Sequence, residues 1–121
     1  MDKHSRYIIL LDIYGELLTE KQRAVMDQYY NFDLSMQEIA ENVGISKQGV
    51  HDFIKRSEHT LNSTEDKLKL LERQNNMQVD LKKLYKQIDD ICHNQNDHPA
   101  YKSLFAIKEE LENIINEYTG G

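Results

Sequence analysis

Apolar residues return every three or four positions along most of the chain, the spacing of a helix with one buried face. Tyr7, Leu10, Leu11, Tyr14, Leu17 and Leu18 form the first such stripe and predict a helix from about Lys3 to Leu18. Ile8, Ile9 and Ile13 widen it, so this helix packs on more than one side. Gly15 weakens it by about 1 kcal/mol relative to alanine, or else admits a close neighbour. Tyr7 and Tyr14 read as core at this spacing rather than as a stacking surface. Thr19 followed by Gln22 has the form of a capping box and starts a second helix, with Val25, Met26, Tyr29 and Tyr30 as its buried side. Asn31 is a natural stop, and Phe32 and Leu34 flank Asp33 in the link that follows.

Ser35 and Glu38 repeat the capping box. Met36, Ile39, Ala40 and Val43 then share one helical face, and Gly44 falls where the chain must leave that helix with a positive φ. Ile45 plugs the turn, Ser46 caps a further helix, and Val50, Phe53 and Ile54 give that helix its buried side. Small Ala40 allows two helices to cross steeply at a short turn. Ile39, Ala40, Val43, Gly44, Ile45, Val50 and Phe53 together resemble the helix-turn-helix core of bacterial regulators.

Beyond Ile54 the pattern continues through Ser57, Glu58 and Leu61, with no proline or glycine to end it. Asn62-Ser63-Thr64-Glu65 is a poor helical stretch that either holds a break, capped by Ser63, or is crossed by a continuous helix. Gln74-Asn75-Asn76 is a second weak spot. Met77, Leu81, Leu84, Ile88 and Ile91 alternate four and three apart, a heptad seam. His93 to His98 reads as a polar loop, Pro99 suits the first turn of a new helix, and Tyr101, Leu104, Ile107, Leu111, Ile114 and Tyr118 form that helix's stripe. The fold class expected is all-α: a helix-turn-helix domain over residues 1–62, and a helical extension over 63–121 folded as an antiparallel hairpin for dimerisation or docking. The seam is long for one small domain, which points to a homodimer.

Composition narrows the function. The 121 residues are 39% hydrophobic and 30% charged, with one proline and five glycines, a soluble helical composition. The longest apolar stretch, Tyr7 to Leu11, is too short to span a bilayer, and no secretory signal is visible. Cys92 is alone, so no internal disulfide forms, and the cytosol is the expected compartment. The net charge of −6 argues against a protein that coats nucleic acid. Residues 1–62 and 63–121 each carry −3, so neither half is a basic module. Cys92, His93, Asp97 and His98 lack the paired spacing of a structural zinc site, and no metal or cofactor is expected. No glycine-rich phosphate loop or nucleophile–base pair is present, so the chain does not read as an enzyme. Lys82, Lys83 and Lys86 form the densest basic cluster, a solvated face or a contact for RNA phosphates.

Leu18-Thr19-Glu20-Lys21-Gln22-Arg23-Ala24-Val25-Met26, then Tyr29-Tyr30, then Leu34 to Ala40, resemble region 4 of bacterial sigma factors, over about a third of the chain. That region sets its recognition helix in the major groove. With the N-terminal Tyr7 to Thr19 run and the C-terminal helices added, the whole chain resembles the YlxM family. These are small helix-turn-helix proteins of low-GC Gram-positive bacteria, whose genes lie beside that of the signal recognition particle GTPase. The resemblance implies a regulatory role linked to protein targeting, with the GTPase or its RNA as partner.

If Val50, Phe53 and Ile54 are buried, the opposite face shows Lys47, Gln48, His51, Asp52 and Lys55. These match the sigma positions that meet bases and phosphates: Lys47 and Gln48 would reach base edges, and Lys55 and Arg56 phosphates. Where sigma helices are rich in arginine, this one carries Gln48, His51 and Asp52. Two readings stand: a DNA-binding regulator, or an adaptor that docks on the targeting GTPase or RNA with the motif as scaffold only.

Overall fold

A computed structural model describes residues 1–94 and 100–118. They form six α-helices: α1 (Lys3–Tyr14), α2 (Glu20–Met26), α3 (Met36–Val43), α4 (Lys47–Leu68), α5 (Leu70–Asn94) and α6 (Tyr101–Tyr118). No strand occurs among the described residues, and the fold is all-α. Two compact units divide the chain, Met1–Leu71 and one that starts at Glu72.

In the first unit, Asp2 opens α1 by accepting the Ser5 N–H at 2.7 Å. The helix stops at Tyr14, short of the expected Leu18, and tightens into a 3-10 turn over Gly15–Leu17. A Cβ on Gly15 would meet the Arg23 guanidinium at 3.5 Å, an ordinary van der Waals contact, so the turn does not require glycine there. Thr19 and Gln22 then form the reciprocal cap, both bonds at 3.1 Å. After α2 the helix widens to a π turn over Asp27–Asn31, closed by the Phe32 N–H on the Asp27 carbonyl at 3.1 Å. That turn brings Tyr30 into the core, with its ring 5.1 Å from that of Tyr7 and 4.9 Å from Tyr29. Burial first, then the nearby Glu58 charge, pushes the Tyr30 phenol well above its ordinary pKa. Tyr7 and Tyr14 are buried core residues, as their spacing predicts.

α3 and α4 meet at Gly44, which ends α3 in the left-handed region at φ 76°. Its N–H and that of Ile45 both bond to the Ala40 carbonyl, at 2.9 and 3.2 Å. Ile39, Ala40, Val50, Ile54 and Leu61 join Leu10, Leu11, Leu18, Val25 and Met26 in one core. Nothing stands within 4 Å of a Cβ built on Gly44, so alanine there meets no clash and only a backbone penalty. Gly44→Ala should lower the stability of this unit by about 1–2 kcal/mol in chemical denaturation, with an unchanged m-value.

α4 runs unbroken through Asn62–Glu65. Tertiary bonds override the poor local propensity: Asn62 donates to the Tyr7 hydroxyl and accepts from Arg6, both at 2.7 Å. The Thr60 and Thr64 hydroxyls donate back to carbonyls four residues earlier, at 3.1 and 2.7 Å. The break comes instead at Lys69, which takes a left-handed φ of 56°. Here the buried Glu65 carboxylate accepts the Tyr14 hydroxyl at 2.7 Å and the Leu71 N–H at 3.0 Å. The Leu70 N–H donates to the Tyr14 oxygen at 3.1 Å. Two of the free amides that begin α5 are thereby satisfied.

In the second unit α5 passes without a break through Gln74–Asn76 and includes His93, which the sequence places in a loop. The Lys108 ammonium of α6 lies 2.6 Å from Asp89 of α5 and 5.7 Å from the Tyr85 ring centre. The hydrogen bond from Lys108 holds the Asp89 carboxyl below its usual range and raises Lys108 in turn. Asp89 lies in the last turns of α5 and Lys108 midway along α6, so this ion pair ties the two helices together. Cys92 is buried. Asp97, His98 and Pro99 lie outside the described residues.

Candidate nucleic-acid interface

The first unit offers one surface with the chemistry of base and phosphate recognition, and α4 carries it. Ser46 caps this helix through its hydroxyl, which accepts the Gly49 N–H at 3.0 Å. At 100° per residue, Val50, Ile54, Ser57 and Leu61 fall on the buried side. Lys47, Gln48, Asp52, Lys55 and Arg56 are exposed, while His51 and Phe53 are half-buried at the flanks. Met36, Val43 and Ile45 are partly buried against the core, so the motif's apolar residues all serve the packing of the turn.

The strip is not uniformly basic. The Gln48 amide donates to Asp52 at 3.1 Å, one helical turn on. The Nδ1 atom of His51 stands 3.8 Å from the same carboxylate, is itself buried, and makes no hydrogen bond to any described residue. Glu20 and Glu38 occupy the first turns of α2 and α3, but no acidic residue occupies the first turn of α4. No side-chain carboxylate in that turn therefore offsets the partial positive charge of the helix end.

Two residues join this surface that sequence spacing did not single out. His59 is exposed and continues the line of Gln48, Asp52 and Lys55 at the same alternation of four and three. Its signal was present in that spacing, ahead of the Asn62–Glu65 stretch where the helix was expected either to break or to continue. Lys21 comes from α2, its ammonium 5.9 Å from the Phe53 ring centre. Only the fold brings that cation to the flank of α4. Lys82, Lys83 and Lys86 are exposed on α5 of the other unit. Among the described residues no group of acidic, histidine and cysteine side chains is arranged to hold a metal ion, and no helix is long and apolar enough to cross a membrane.

Two helices, α3 and α4, packed across the Gly44 turn define a helix-turn-helix protein. Residues 1–114 match a family model described as "Putative helix-turn-helix protein, YlxM / p13 like". The chain belongs to this family, UPF0122. A UPF0122 protein of Clostridium kluyveri is 50% identical over 96 residues, spanning 79% of this chain and 86% of the relative. Another, from Acetivibrio thermocellus, is 40% identical over 118 residues, spanning 95% and 98%. One from Thermoanaerobacter sp. (strain X514) is 40% identical over 106 residues, spanning 88% and 91%.

Proposed function

We propose that the protein is a DNA-binding regulatory protein of the signal recognition particle targeting pathway, contacting DNA through α4 and joining a second copy through the C-terminal helices. One observation carries the DNA contact: the left-handed Gly44 turn buries Val50 and Ile54, so that Lys47, Gln48, Asp52, Lys55 and Arg56 stand together in solvent. Lys47 and Gln48 lie in the first turn, the part of a recognition helix that meets base edges. Lys55 and Arg56 suit phosphates, and the acid-free start of α4 suits another. The link to protein targeting is supported by the likeness to YlxM proteins alone, and the cytosolic setting by the single cysteine.

Fluorescence anisotropy tests this reading, with duplex DNA selected from a random pool and with targeting-particle RNA, each at two salt concentrations. Lys47→Ala and Lys55→Ala should each weaken DNA binding severalfold and lower the salt slope by about 1. Duplexes that never bind at low salt would overturn the proposal. The adaptor reading draws support from Leu17 and Phe32, which stand 62% and 68% exposed on the first unit. Capture of the targeting GTPase without any nucleic-acid binding, lost in Phe32→Ser, would favour it.

A further inference from the structure

Around α5, Tyr85 and Asp89 mark the side that meets α6 through Lys108. About a third of a turn away, Met77, Leu84 and Ile91 follow one another at seven-residue intervals and stay 47%, 49% and 42% exposed. On α6 the same rotation from Lys108 reaches Ile107, 45% exposed, with Ile114 half-buried seven residues on. The two rows are displaced in the same rotational sense from the contact between the helices. With α5 and α6 antiparallel, as the sequence pattern predicts, equal displacement brings both rows to the same side. On that side the unit has an open apolar face with the period of a coiled-coil seam, while Val79 and Phe105 stand exposed off these rows.

We propose that this face is closed by a second copy of the chain, with α5 of each copy lying over α6 of its partner. The inference deepens the proposed pairing of two copies and is independent of DNA contact. The 18 residues of α6 make a rod about 27 Å long, and two helices side by side are about 20 Å wide, a flat projection of roughly 500 Å². A ridged surface of that outline approaches the roughly 800 Å² that each partner gives to a standard interface. The rows on α5 and α6 share a seven-residue period, so α5 of one copy can lie in step on α6 of its partner about a two-fold axis.

Charge selects the stacking. The outer edge of α5 carries both signs, Lys83 and Lys86 with Asp80 and Asp90, whereas Glu110 and Glu117 line the edge of α6 beside its open row. Laying α6 on its own copy would set those glutamates against each other. With α5 over α6 about a two-fold axis along the helices, Lys83 falls in level between the partner's Glu110 and Glu117.

Sedimentation equilibrium of the full chain at tens of micromolar tests the proposal. The wild type should have the mass of a dimer, and Leu84→Glu and Ile107→Glu should each loosen it by a hundredfold or so, with far-UV helicity retained. Lys83→Glu and Glu110→Lys should each weaken it about fivefold, and the double reversal should recover most of the loss. A monomeric wild type, or a dimer indifferent to both glutamates in the apolar face, overturns the proposal. Single charge reversals without effect overturn the stacking of α5 on α6. None of these masses depends on whether α4 binds DNA.

Discussion

Glu65→Ala should cost the first unit about 3 kcal/mol of unfolding free energy, read as a drop in the denaturation midpoint. The side chain is only 8% exposed and accepts from both the Tyr14 hydroxyl and the Leu71 amide. Truncation leaves a buried phenol and a helix-starting N–H without that acceptor, and each unmet donor carries its own desolvation cost. Tyr14→Phe should cost less, about 1–2 kcal/mol, because Glu65 keeps its bond to Leu71 even though the part-buried Leu70 amide loses its acceptor. If the pair acts as a network, the double variant should lose less than the sum of the two. Equal effects for Glu65→Ala and an exposed control of the same unit such as Glu16→Ala would show that the junction contributes nothing.

Ala40→Leu is the second large effect, about 2 kcal/mol destabilising. Ala40 is 5% exposed in the same core as Ile39, Val50 and Ile54, and its carbonyl accepts both amides of the turn. Three further carbons enter a closed space, and the surrounding helices must shift or strain. The loss should come with altered presentation of α4, so DNA affinity should fall even at temperatures where the variant is fully folded. Ala40→Gly removes volume instead and should lower stability without the same change in binding. A leucine tolerated without loss would mean that Ala40 does not set how closely α3 approaches α4.

What could be read from the sequence follows the range of each determinant. The caps of α2 and α3 are reciprocal bonds between residues three apart, so Thr19 with Gln22 and Ser35 with Glu38 announce themselves. Gly44 is as legible, because a left-handed turn after an apolar stripe favours one residue type. The break at Lys69 was hidden. No glycine or proline marks it, and its support comes from Tyr14, more than fifty positions earlier. The same holds for Asn62, whose partners Arg6 and Tyr7 carry α4 through a stretch of weak helix formers. The candidate surface divides along the same line. Helical spacing puts Lys47, Gln48, Asp52 and Lys55 together, but the arrival of Lys21 beside Phe53 depends on how α2 packs.

If α4 reads DNA as proposed, the bond between Gln48 and Asp52 bears on selectivity. An amide already engaged gains little by exchanging one acceptor for another, so a duplex that offers Gln48 a poor fit leaves it where it is. Only a base edge that takes the amide on better terms, and gives Asp52 a donor in return, draws the two apart. Such a helix would be a reluctant general binder and a strict reader.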